Sequence, residues 1–235
     1  MNNFAVISGG TKGIGRSLIE KFAGNGFDIA TCSRTEKDLS LLKKIMQKKF
    51  PEIKLFPYRA DLSDIIDRNG FVDFIHSLER NVDVLINNTG VFMPGQIHNE
   101  DPGTLEKLIE TNLYSAYYLT RGLIPGMMER REGYVFNICS TASIIAYTNG
   151  GSYGISKFAL LGMSKVLREE MKSYNIRVSS VLPGATLTPS WEGSGLPPER
   201  FIKPEDVAEI IWNAYSLSPR TVVEEILIRP FMGDL

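Results

Sequence analysis

Tyr153 and Lys157 lie four residues apart in the segment SYGISK, residues 152–157. In a helix, side chains at this spacing share one face. A phenol with an ordinary pKa of about 10 is a poor acid–base catalyst at neutral pH, but a lysine ammonium a few ångströms away favours the phenolate and lowers that pKa. The pair is therefore a candidate proton donor, although the same spacing also occurs in ordinary exposed helix pairs.

A glycine-rich turn, SGGTKGIG at residues 8–15, follows a predicted strand and precedes a predicted helix. Gly9, Gly13 and Gly15 allow a sharp turn, close approach of the backbone to a pyrophosphate, and close helix–strand packing. The helix that begins here offers unpaired N–H groups and a positive dipole end to phosphates. An ordinary structural turn is the alternative, but the strand before and the helix after favour dinucleotide binding. The spacing is neither that of the larger dehydrogenases nor that of a P-loop.

The second predicted strand ends in the segment TCSRT, residues 31–35, which contains no carboxylate. A site for NAD usually places Asp or Glu here, on the ribose 2′-hydroxyl. Arg34 instead offers a planar cationic fork suited to the 2′-phosphate of NADP, with Ser33 and Thr35 as hydroxyl donors. Lys12 in the glycine turn is a second cation within reach. These residues predict NADP(H) as the cofactor; the alternative is that both cations are solvated surface charges.

Taken together and in this order, the motifs resemble those of the short-chain dehydrogenases/reductases. The turn resembles the family's Thr-Gly-x-x-x-Gly-x-Gly, with Ser8 where Thr is usual. Ser140, thirteen residues before Tyr153 and just past a predicted strand, matches the family serine whose hydroxyl holds the substrate oxygen. Asn112 matches the family asparagine that anchors a water in the proton relay. The resemblance implies that Ser140 and Tyr153 bind a carbonyl oxygen and that Lys157 also holds the nicotinamide ribose.

Further matches extend over nearly the whole chain. The segment NNTG at residues 87–90 stands where the family has Asn-Asn-Ala-Gly, and the main role of Asn88 there is a structural link between strands. Asp61 and Leu62 match the pair beside the adenine, although a helix-entry aspartate is an equally good explanation. The segment PGATLT at residues 183–188 resembles the family's nicotinamide clamp. The predicted cofactor-binding residues are Gly9, Thr11, Lys12, Gly13, Ile14, Gly15, Ser33, Arg34, Thr35, Asp61, Leu62, Asn88, Gly90, Tyr153, Lys157, Pro183, Gly184, Thr186 and Thr188.

Short β-branched runs alternate with longer helical segments, the pattern of βαβ units around a parallel sheet. Strands are predicted near Phe4–Ser8, Asp28–Cys32, Lys54–Tyr58, Val82–Ile86, Tyr134–Ile138, Arg177–Leu182 and Glu224–Arg229. Helices are predicted near Gly13–Ala23, Glu36–Lys49, Asp64–Leu78, Thr104–Met128, Ser152–Ser173 and Pro204–Leu217. Pro125 predicts a kink or an early end in the fourth helix, and Ser63 can cap the third. The predicted fold is an α/β single-domain Rossmann fold over residues 1–235, a doubly wound parallel sheet of about seven strands with helices on both faces.

The irregular stretch 185–203, rich in Gly, Pro, Ser and Thr, is predicted to be a substrate-binding lid. Segments 185–191 and 218–230 resemble those of bacterial sepiapterin-reductase-like members, which reduce a side-chain ketone on a pterin. The core motifs match the 3-oxoacyl-(acyl-carrier-protein) reductases equally well. A planar pterin favours an aromatic partner, and Trp191 in the lid is the candidate substrate-binding residue, alongside Ser140 and Tyr153. The alternative for Trp191 is a hydrophobic latch that closes the lid.

The composition narrows the function classes. A net charge of −1 argues against nucleic acid, and no segment approaches the roughly 20 apolar residues of a membrane span. Cys32 and Cys139 provide no disulfide framework and no metal-ligand spacing, and with no signal peptide visible this predicts a cytoplasmic protein without a metal. The expected protein is an NADPH-dependent oxidoreductase, a homodimer or homotetramer, that reduces a ketone or aldehyde. A protein that only senses NADP(H) is the non-enzyme alternative; it would lose the Ser, Tyr or Lys, and all three are present.

Overall fold

A computed structural model describes residues 2–191 and 193–234 of the chain. Seven strands form one sheet in the order β3-β2-β1-β4-β5-β6-β7, and every neighbouring pair is parallel. The strands are β1 (Phe4–Ser8), β2 (Asp28–Ser33), β3 (Leu55–Arg59), β4 (Val84–Asn87), β5 (Gly133–Ile138), β6 (Ile176–Pro183) and β7 (Glu225–Ile228). The helices are α1 (Gly13–Gly24), α2 (Glu36–Lys49), α3 (Ile65–Ser77), α4 (Thr104–Ile109), α5 (Ser115–Arg130), α6 (Gly151–Met171) and α7 (Pro204–Ser216).

Apolar side chains cover both faces of the sheet, because successive residues of a strand point to opposite sides. Ala5 and Ile7 of β1 belong to a core that includes residues of α1, α2 and α7. Phe4 and Val6 belong to a second core, which includes residues of α3 and α5. A strand that is buried on both sides reads as a continuous apolar run, which is why the sequence pattern was informative. The predicted doubly wound Rossmann fold is confirmed.

The region predicted as one long helix, 104–128, is interrupted earlier than expected. A π-helical turn at Glu110–Tyr114 separates α4 from α5. Pro125 lies inside α5, which continues to Arg130. Of the two outcomes predicted from the proline, a kink or an early end, the early end was wrong. Buried Ile124 and Met127 on either side of the proline hold that part of α5 against the sheet. Packing thus outweighs the lost backbone hydrogen bond.

Capping residues define the end of α1 and the start of α3. Asn25 follows the last turn of α1, where the pair Asn25-Gly26 ends the helix. The N-cap of α3 is Asp64 rather than Ser63: the Asp64 carboxylate accepts from the main-chain N–H groups of Ile66 and Asp67 at 2.8 and 3.0 Å. A carboxylate in this position also interacts favourably with the helix dipole.

The strand order places a ligand crevice at a definite point in the sheet. Strands β1 and β4 are neighbours, and the connections on either side of them run in opposite directions. In open parallel sheets, such a switch point opens a crevice at the carboxyl ends of the strands. The glycine turn after β1 and the segment after β4 both begin at this edge. Within the described ranges, no helix is both long enough and apolar enough to cross a bilayer.

Candidate active site

A cleft of about 1000 Å³ lies along the carboxyl ends of the strands. It brings together most of the residues selected from the sequence. The predicted residues that line it are Gly9, Thr11, Lys12, Gly13, Ile14, Gly15, Ser33, Arg34, Asp61, Leu62, Asn88, Gly90, Ser140, Tyr153, Lys157, Pro183, Gly184, Thr186, Thr188 and Trp191. Thr35 and Asn112 are not in the wall of the cleft.

The glycine turn has a conformation and a closeness of packing that require glycine. Gly9 and Gly13 have φ values of +67° and +52°, in the left-handed region that side chains disfavour. A Cβ atom on Gly15 would lie 2.3 Å from the carbonyl oxygen of Gly9. The N-cap of α1, Lys12, makes no side-chain capping bond, so the first N–H groups of the helix are not satisfied in that way. The turn thus leaves bare backbone and a positive helix end at the cleft, as phosphate binding requires.

Ser8 and Asn88 tie the glycine turn to the end of β4. The Ser8 hydroxyl accepts from the main-chain N–H groups of Asn88 and Thr89, each at 3.0 Å. The Asn88 amide donates to the carbonyl oxygens of Ser8 and Gly9 at 2.9 and 3.1 Å. Serine therefore supplies the hydroxyl for which the family usually uses threonine. Asn88 makes the structural link between strands that the sequence indicated.

One end of the cleft carries its exposed cations. Arg34 is solvent-exposed at the end of β2, and Lys12 forms an ion pair with Asp38 of α2, with 3.2 Å between Nζ and Oδ2. Sequence reasoning overlooked Asp38, because it lies one helical turn beyond the strand end where a carboxylate is expected. The Ser33 hydroxyl lies 3.3 Å from that of Thr11 and 3.4 Å from the N–H of Thr35.

Asp61 has a local structural role as well as a place in the cleft wall. Its carboxylate accepts from both the N–H and the hydroxyl of Ser63, at 3.0 and 2.7 Å. Burial alone would raise the pKa of Asp61, but the Ser63 hydrogen bonds and the charges of Arg34 and Arg59 together lower it. Asp61 is thus an anion near Arg34 at neutral pH, and both explanations offered by the sequence fit its position.

Tyr153 lies in the first turn of α6, and its environment differs from the expectation. Burial raises the pKa of Tyr153 to about 12, and the nearby Ser140 hydroxyl offsets this only in part. The expected lowering of this pKa by Lys157 is absent: the Lys157 ammonium lies 6.0 Å from the ring centroid, and burial is the largest influence on the phenol. At neutral pH the phenol is protonated, which is the form that can donate a proton.

Lys157 and Ser140 are held by contacts with β5 and the residues that follow it. The Lys157 ammonium donates to the carbonyl oxygen of Ile138 at 2.9 Å, and burial lowers its pKa to about 8. Ser140 caps a short 3₁₀ turn, Thr141–Ser143: its hydroxyl oxygen accepts from the N–H of Ala142 at 3.1 Å. The proton of that hydroxyl is then free to be donated into the cleft.

Asn112 is fully buried in the π-helical turn and hydrogen-bonds to Val91, a residue of the cleft wall. Its amide oxygen accepts from the N–H of Val91 at 2.8 Å. Its amide nitrogen donates to the carbonyl of Val91 at 3.1 Å and to the hydroxyl of Ser156 at 2.9 Å. Asn112 therefore joins the segment after β4 to α6, the helix that carries Tyr153 and Lys157. Since both amide protons have partners, a relay through this side chain stays a prediction.

Phe92 is a site residue that sequence reasoning missed. Its ring meets that of Tyr153 edge to face, with centroids 4.9 Å apart, and stacks near that of Trp191 with centroids 6.2 Å apart. Trp191 in turn contacts Phe201, with a centroid distance of 5.2 Å. An available signal was the position of Phe92, two residues beyond the NNTG motif at the carboxyl end of β4. The rings of Phe92, Trp191 and Phe201 together form an aromatic wall beside the Tyr153 phenol.

The two ends of the predicted lid are joined by hydrogen bonds, and the lid contacts the glycine turn. Residue 192 of the lid lies outside the described residues. Ile202 N–H donates to the carbonyl of Ala185, and Leu187 N–H to that of Ile202, both at 2.9 Å. The methyl carbon of Thr188 would lie 2.8 Å from a Cβ atom on Gly13. The lid base is thereby fixed over the phosphate-binding turn, and the 3₁₀ turn Pro189–Trp191 carries the indole to the aromatic wall.

Comparison with known proteins decides the family. Residues 3–196 match the model of the short chain dehydrogenases. The chain belongs to the short-chain dehydrogenase/reductase family. Members of this family are oxidoreductases that act on CH–OH and C=O groups, so the expected class of enzyme is confirmed.

A curated relative and two solved structures match this short-chain dehydrogenase/reductase over nearly its whole length. The chain is 31% identical over 247 residues to a sepiapterin reductase of Chlorobaculum tepidum, covering 100% of this chain and 99% of that protein. A metagenomic short-chain oxidoreductase solved in complex with NADP matches with a TM-score of 0.84 at 26% identity, over 97% of this chain and 96% of the other. The L-sorbose reductase of Gluconobacter frateurii, solved with NADPH and L-sorbose, matches with a TM-score of 0.88 at 25% identity, over 97% and 95%.

Proposed function

We propose that the protein uses NADPH to reduce a ketone or aldehyde to an alcohol, with Tyr153 as the proton donor. The observation that carries this proposal is the convergence of Ser140, Tyr153 and Lys157 on one cleft with the phosphate-binding turn. The NADP and NADPH bound in the two structural neighbours support the choice of cofactor. The 31% identity to a sepiapterin reductase supports reduction as the direction.

The residues present fit NADP(H). The turn around Gly9, Gly13 and Gly15 has no side chain where the backbone must approach a pyrophosphate. The N-terminus of α1 faces the same part of the cleft. Arg34 directly follows β2, and Lys12 lies in the glycine turn at the start of α1. Both line the cleft, where they would recognise a 2′-phosphate by charge-assisted hydrogen bonds.

The chain's own residues supply the remaining chemistry. When bound, the reduced nicotinamide supplies the hydride. The hydroxyls of Ser140 and Tyr153 donate to the carbonyl oxygen of the substrate and stabilise the negative charge that develops there. Tyr153, whose pKa burial raises to about 12, then transfers its proton to that oxygen. Lys157, fixed by the Ile138 carbonyl, would hold the nicotinamide ribose.

The low pKa of Lys157 leads to a pH-dependent expectation. The kcat/KM for NADPH reports the ionisations of the free enzyme. Below a pH of about 8 Lys157 is an ammonium, and above it the group becomes a neutral amine and a weaker donor to the ribose. We therefore expect kcat/KM for NADPH to fall as pH rises through about 8, measured at saturating ketone. Lys157→Ala should weaken both cofactor affinity and turnover and remove this inflection; a wild-type profile that is flat to about pH 9.5 contradicts the assignment.

The substrate end of the cleft favours a neutral molecule. Apolar and aromatic residues line the cleft there, namely Phe92, Pro94, Ile145, Tyr147, Trp191 and Leu196, and the Phe92 ring meets that of Tyr153. The charged residues of the cleft wall, in the described part of the chain, are Lys12, Arg34, Asp61, Lys157 and Asp234. None of them lies in the segments 92–94, 145–147 and 191–196, which contain the apolar residues just named. Burying an unpaired anion among apolar side chains is costly. The lining therefore supports an uncharged ketone, such as the side-chain ketone of a pterin.

Reduction of a 3-oxoacyl thioester on acyl carrier protein is the alternative, supported by the core motifs. A panel of carbonyl compounds distinguishes the two, with NADPH oxidation followed spectrophotometrically. The panel pairs sepiapterin with acetoacetyl thioester, and methyl benzoylformate with benzoylformate, which differ in a single charge. Faster turnover of sepiapterin and of the neutral ester supports the first proposal, whereas preference for the thioester supports the alternative. NADPH binding without turnover of any carbonyl compound indicates a sensor instead.

Replacing Trp191 by Ala tests the substrate role of the aromatic wall. If the indole stacks on a planar substrate, the change should raise KM for sepiapterin by roughly five- to thirtyfold, the equivalent of losing ~1–2 kcal/mol from one aromatic contact. KM for the small aliphatic 2,3-butanedione should change much less. Trp191→Phe is the control, because it keeps an aromatic face against Phe92. Equal increases for both substrates would identify Trp191 as a latch for the lid.

We also propose that the protein self-associates and is cytoplasmic. Self-association as a homodimer or homotetramer is supported by exposed apolar side chains on α5, α6 and the adjoining π-turn, namely Tyr114, Tyr117, Ile155, Phe158 and Val166. Large apolar side chains left exposed on neighbouring elements are typical of an interface. A reducing compartment is supported by the two buried free thiols of Cys32 and Cys139.

A further inference from the structure

We propose that Glu100 is a positioning residue for Tyr153, an inference that rests on the proposed function. Glu100 lies just before α4, and its carboxylate contacts the first turn of α6. One carboxylate oxygen accepts from the main-chain N–H of Ser152 at 2.9 Å, and the other accepts from the Ser152 hydroxyl. Ser152 directly precedes Tyr153, so the carboxylate fixes the residue next to the proton donor.

The Glu100 carboxylate accepts hydrogen bonds that the N-cap residue of α6 cannot accept. The N-cap of α6, Gly150, has no side chain and makes no capping hydrogen bond. The first N–H groups of a helix lack partners within the helix, and a negative charge is favourable beside them. Glu100 supplies both the acceptor and the charge from 52 residues away in the chain.

Two glycines make room for the Glu100 side chain. A Cβ atom on Gly151 would lie 2.1 Å from Oε1 of Glu100, and one on Gly95 would lie 2.7 Å from the same oxygen. Gly151 also has a φ of +38°, in the left-handed region. The carboxylate therefore fits closely between two backbone segments, and both have glycine at the point of contact. A side chain lying loosely on the surface would not require these glycines.

The same loop holds Tyr153 from two directions. The loop after β4 begins near Phe92, whose ring meets that of Tyr153, and it ends at Glu100. Between them, Gly95 N–H donates to the carbonyl of Asn149 at 3.0 Å, and the Gln96 amide donates to the Asn149 side chain at 2.7 Å. The loop is thus bound along its length to the residues that lead into α6. Removing the Glu100 contact should loosen the first turn, where the phenol is placed.

Lys157 provides an internal reference, because other contacts hold it. Its ammonium is bound by the Ile138 carbonyl, and neighbouring Ser156 accepts from Asn112. Loss of Glu100 should therefore affect the proton donor while leaving the cofactor contact of Lys157 in place. A displacement of about 1 Å at the phenol is enough to slow proton transfer.

The experiment compares Glu100→Ala, Glu100→Gln and Asp101→Asn in the full-length protein. Alanine should lower kcat for ketone reduction by about tenfold while changing the Kd for NADPH by less than twofold. Glutamine retains an acceptor and a donor for Ser152, and should restore kcat to within about twofold of wild type. Asp101→Asn removes the adjacent carboxylate, which is exposed, and should behave as wild type. Hydrogen exchange of the 152–154 amides should be faster in the alanine variant only, with the amides around 157 unchanged.

The outcomes separate this inference from the function on which it rests. A kcat for Glu100→Ala within twofold of wild type overturns the positioning role, as does an equal loss of kcat and NADPH affinity. A purely structural cap would lower the melting temperature without lowering kcat at 25 °C. If the alanine variant does not fold, Ser152→Ala is measured instead: it should lower kcat about threefold without changing the Kd for NADPH, and an unchanged kcat overturns the proposal. Absence of turnover in the wild type counts against the proposed function alone, since hydrogen exchange still reports on Glu100.

Discussion

Replacing Tyr153 by Phe should lower kcat for carbonyl reduction by on the order of a hundredfold or more, the usual contribution of a general acid. Burial raises the pKa of the phenol to about 12, so at neutral pH the wild-type group carries the proton that the reaction needs. Phenylalanine keeps the ring, and with it the edge-to-face contact with Phe92 at 4.9 Å. The loss should therefore come from the missing hydroxyl, and the Kd for NADPH should stay nearly unchanged.

Two further tyrosines provide matched comparisons for this substitution. Tyr147 also lines the cleft, so Tyr147→Phe makes the same change near the same substrate. Tyr147→Phe should lower kcat much less than Tyr153→Phe. The opposite order would identify Tyr147 as the proton donor. Tyr114 is exposed in the turn before α5 and outside the cleft wall, so Tyr114→Phe should leave kcat as in the wild type. A Tyr153→Phe variant with near-normal turnover would refute the assignment of the proton donor.

The parts of the fold that local sequence determines could be predicted. Strands such as β1 are continuous apolar runs because both faces are buried, and the glycine turn has a conformation that Gly9 and Gly13 alone permit at low cost. The order of motifs along the chain then placed Ser140, Tyr153 and Lys157 at one edge of the sheet. These predictions depend on short-range chemistry and on a general rule of parallel sheets.

Features that depend on distant contacts could not be predicted in the same way. The helix around Pro125 persists because Ile124 and Met127 are buried against residues far away in sequence. Glu100 reaches Ser152 across 52 residues, and no local pattern marks that pairing. The high pKa of Tyr153 likewise follows from burial, which spacing to Lys157 does not reveal.

The protein should bind NADPH at least about a hundredfold more tightly than NADH. Two charge-assisted contacts to the 2′-phosphate, at ~1.5–3 kcal/mol each, account for that ratio. Arg34 and Lys12 are the cations that line the cleft beside the end of β2, a strand that ends without a carboxylate. Fluorescence titration of the purified protein with each reduced cofactor measures the ratio. Equal dissociation constants would contradict this assignment.

The two cations should not contribute equally, because Lys12 already has a partner. Its ammonium is 3.2 Å from the Asp38 carboxylate, so binding a phosphate there requires an exchange or sharing of that ion pair. Arg34→Asp should therefore weaken NADPH binding more than Lys12→Ala. It should not weaken NADH binding, since NADH lacks the 2′-phosphate and its ribose 2′-hydroxyl can donate to a carboxylate at this position. Asp38→Asn should tighten NADPH binding by releasing Lys12, and should do so only when Lys12 is present. If Lys12→Ala and Asp38→Asn both leave the NADPH constant unchanged, Lys12 is a surface charge and Arg34 alone recognises the phosphate.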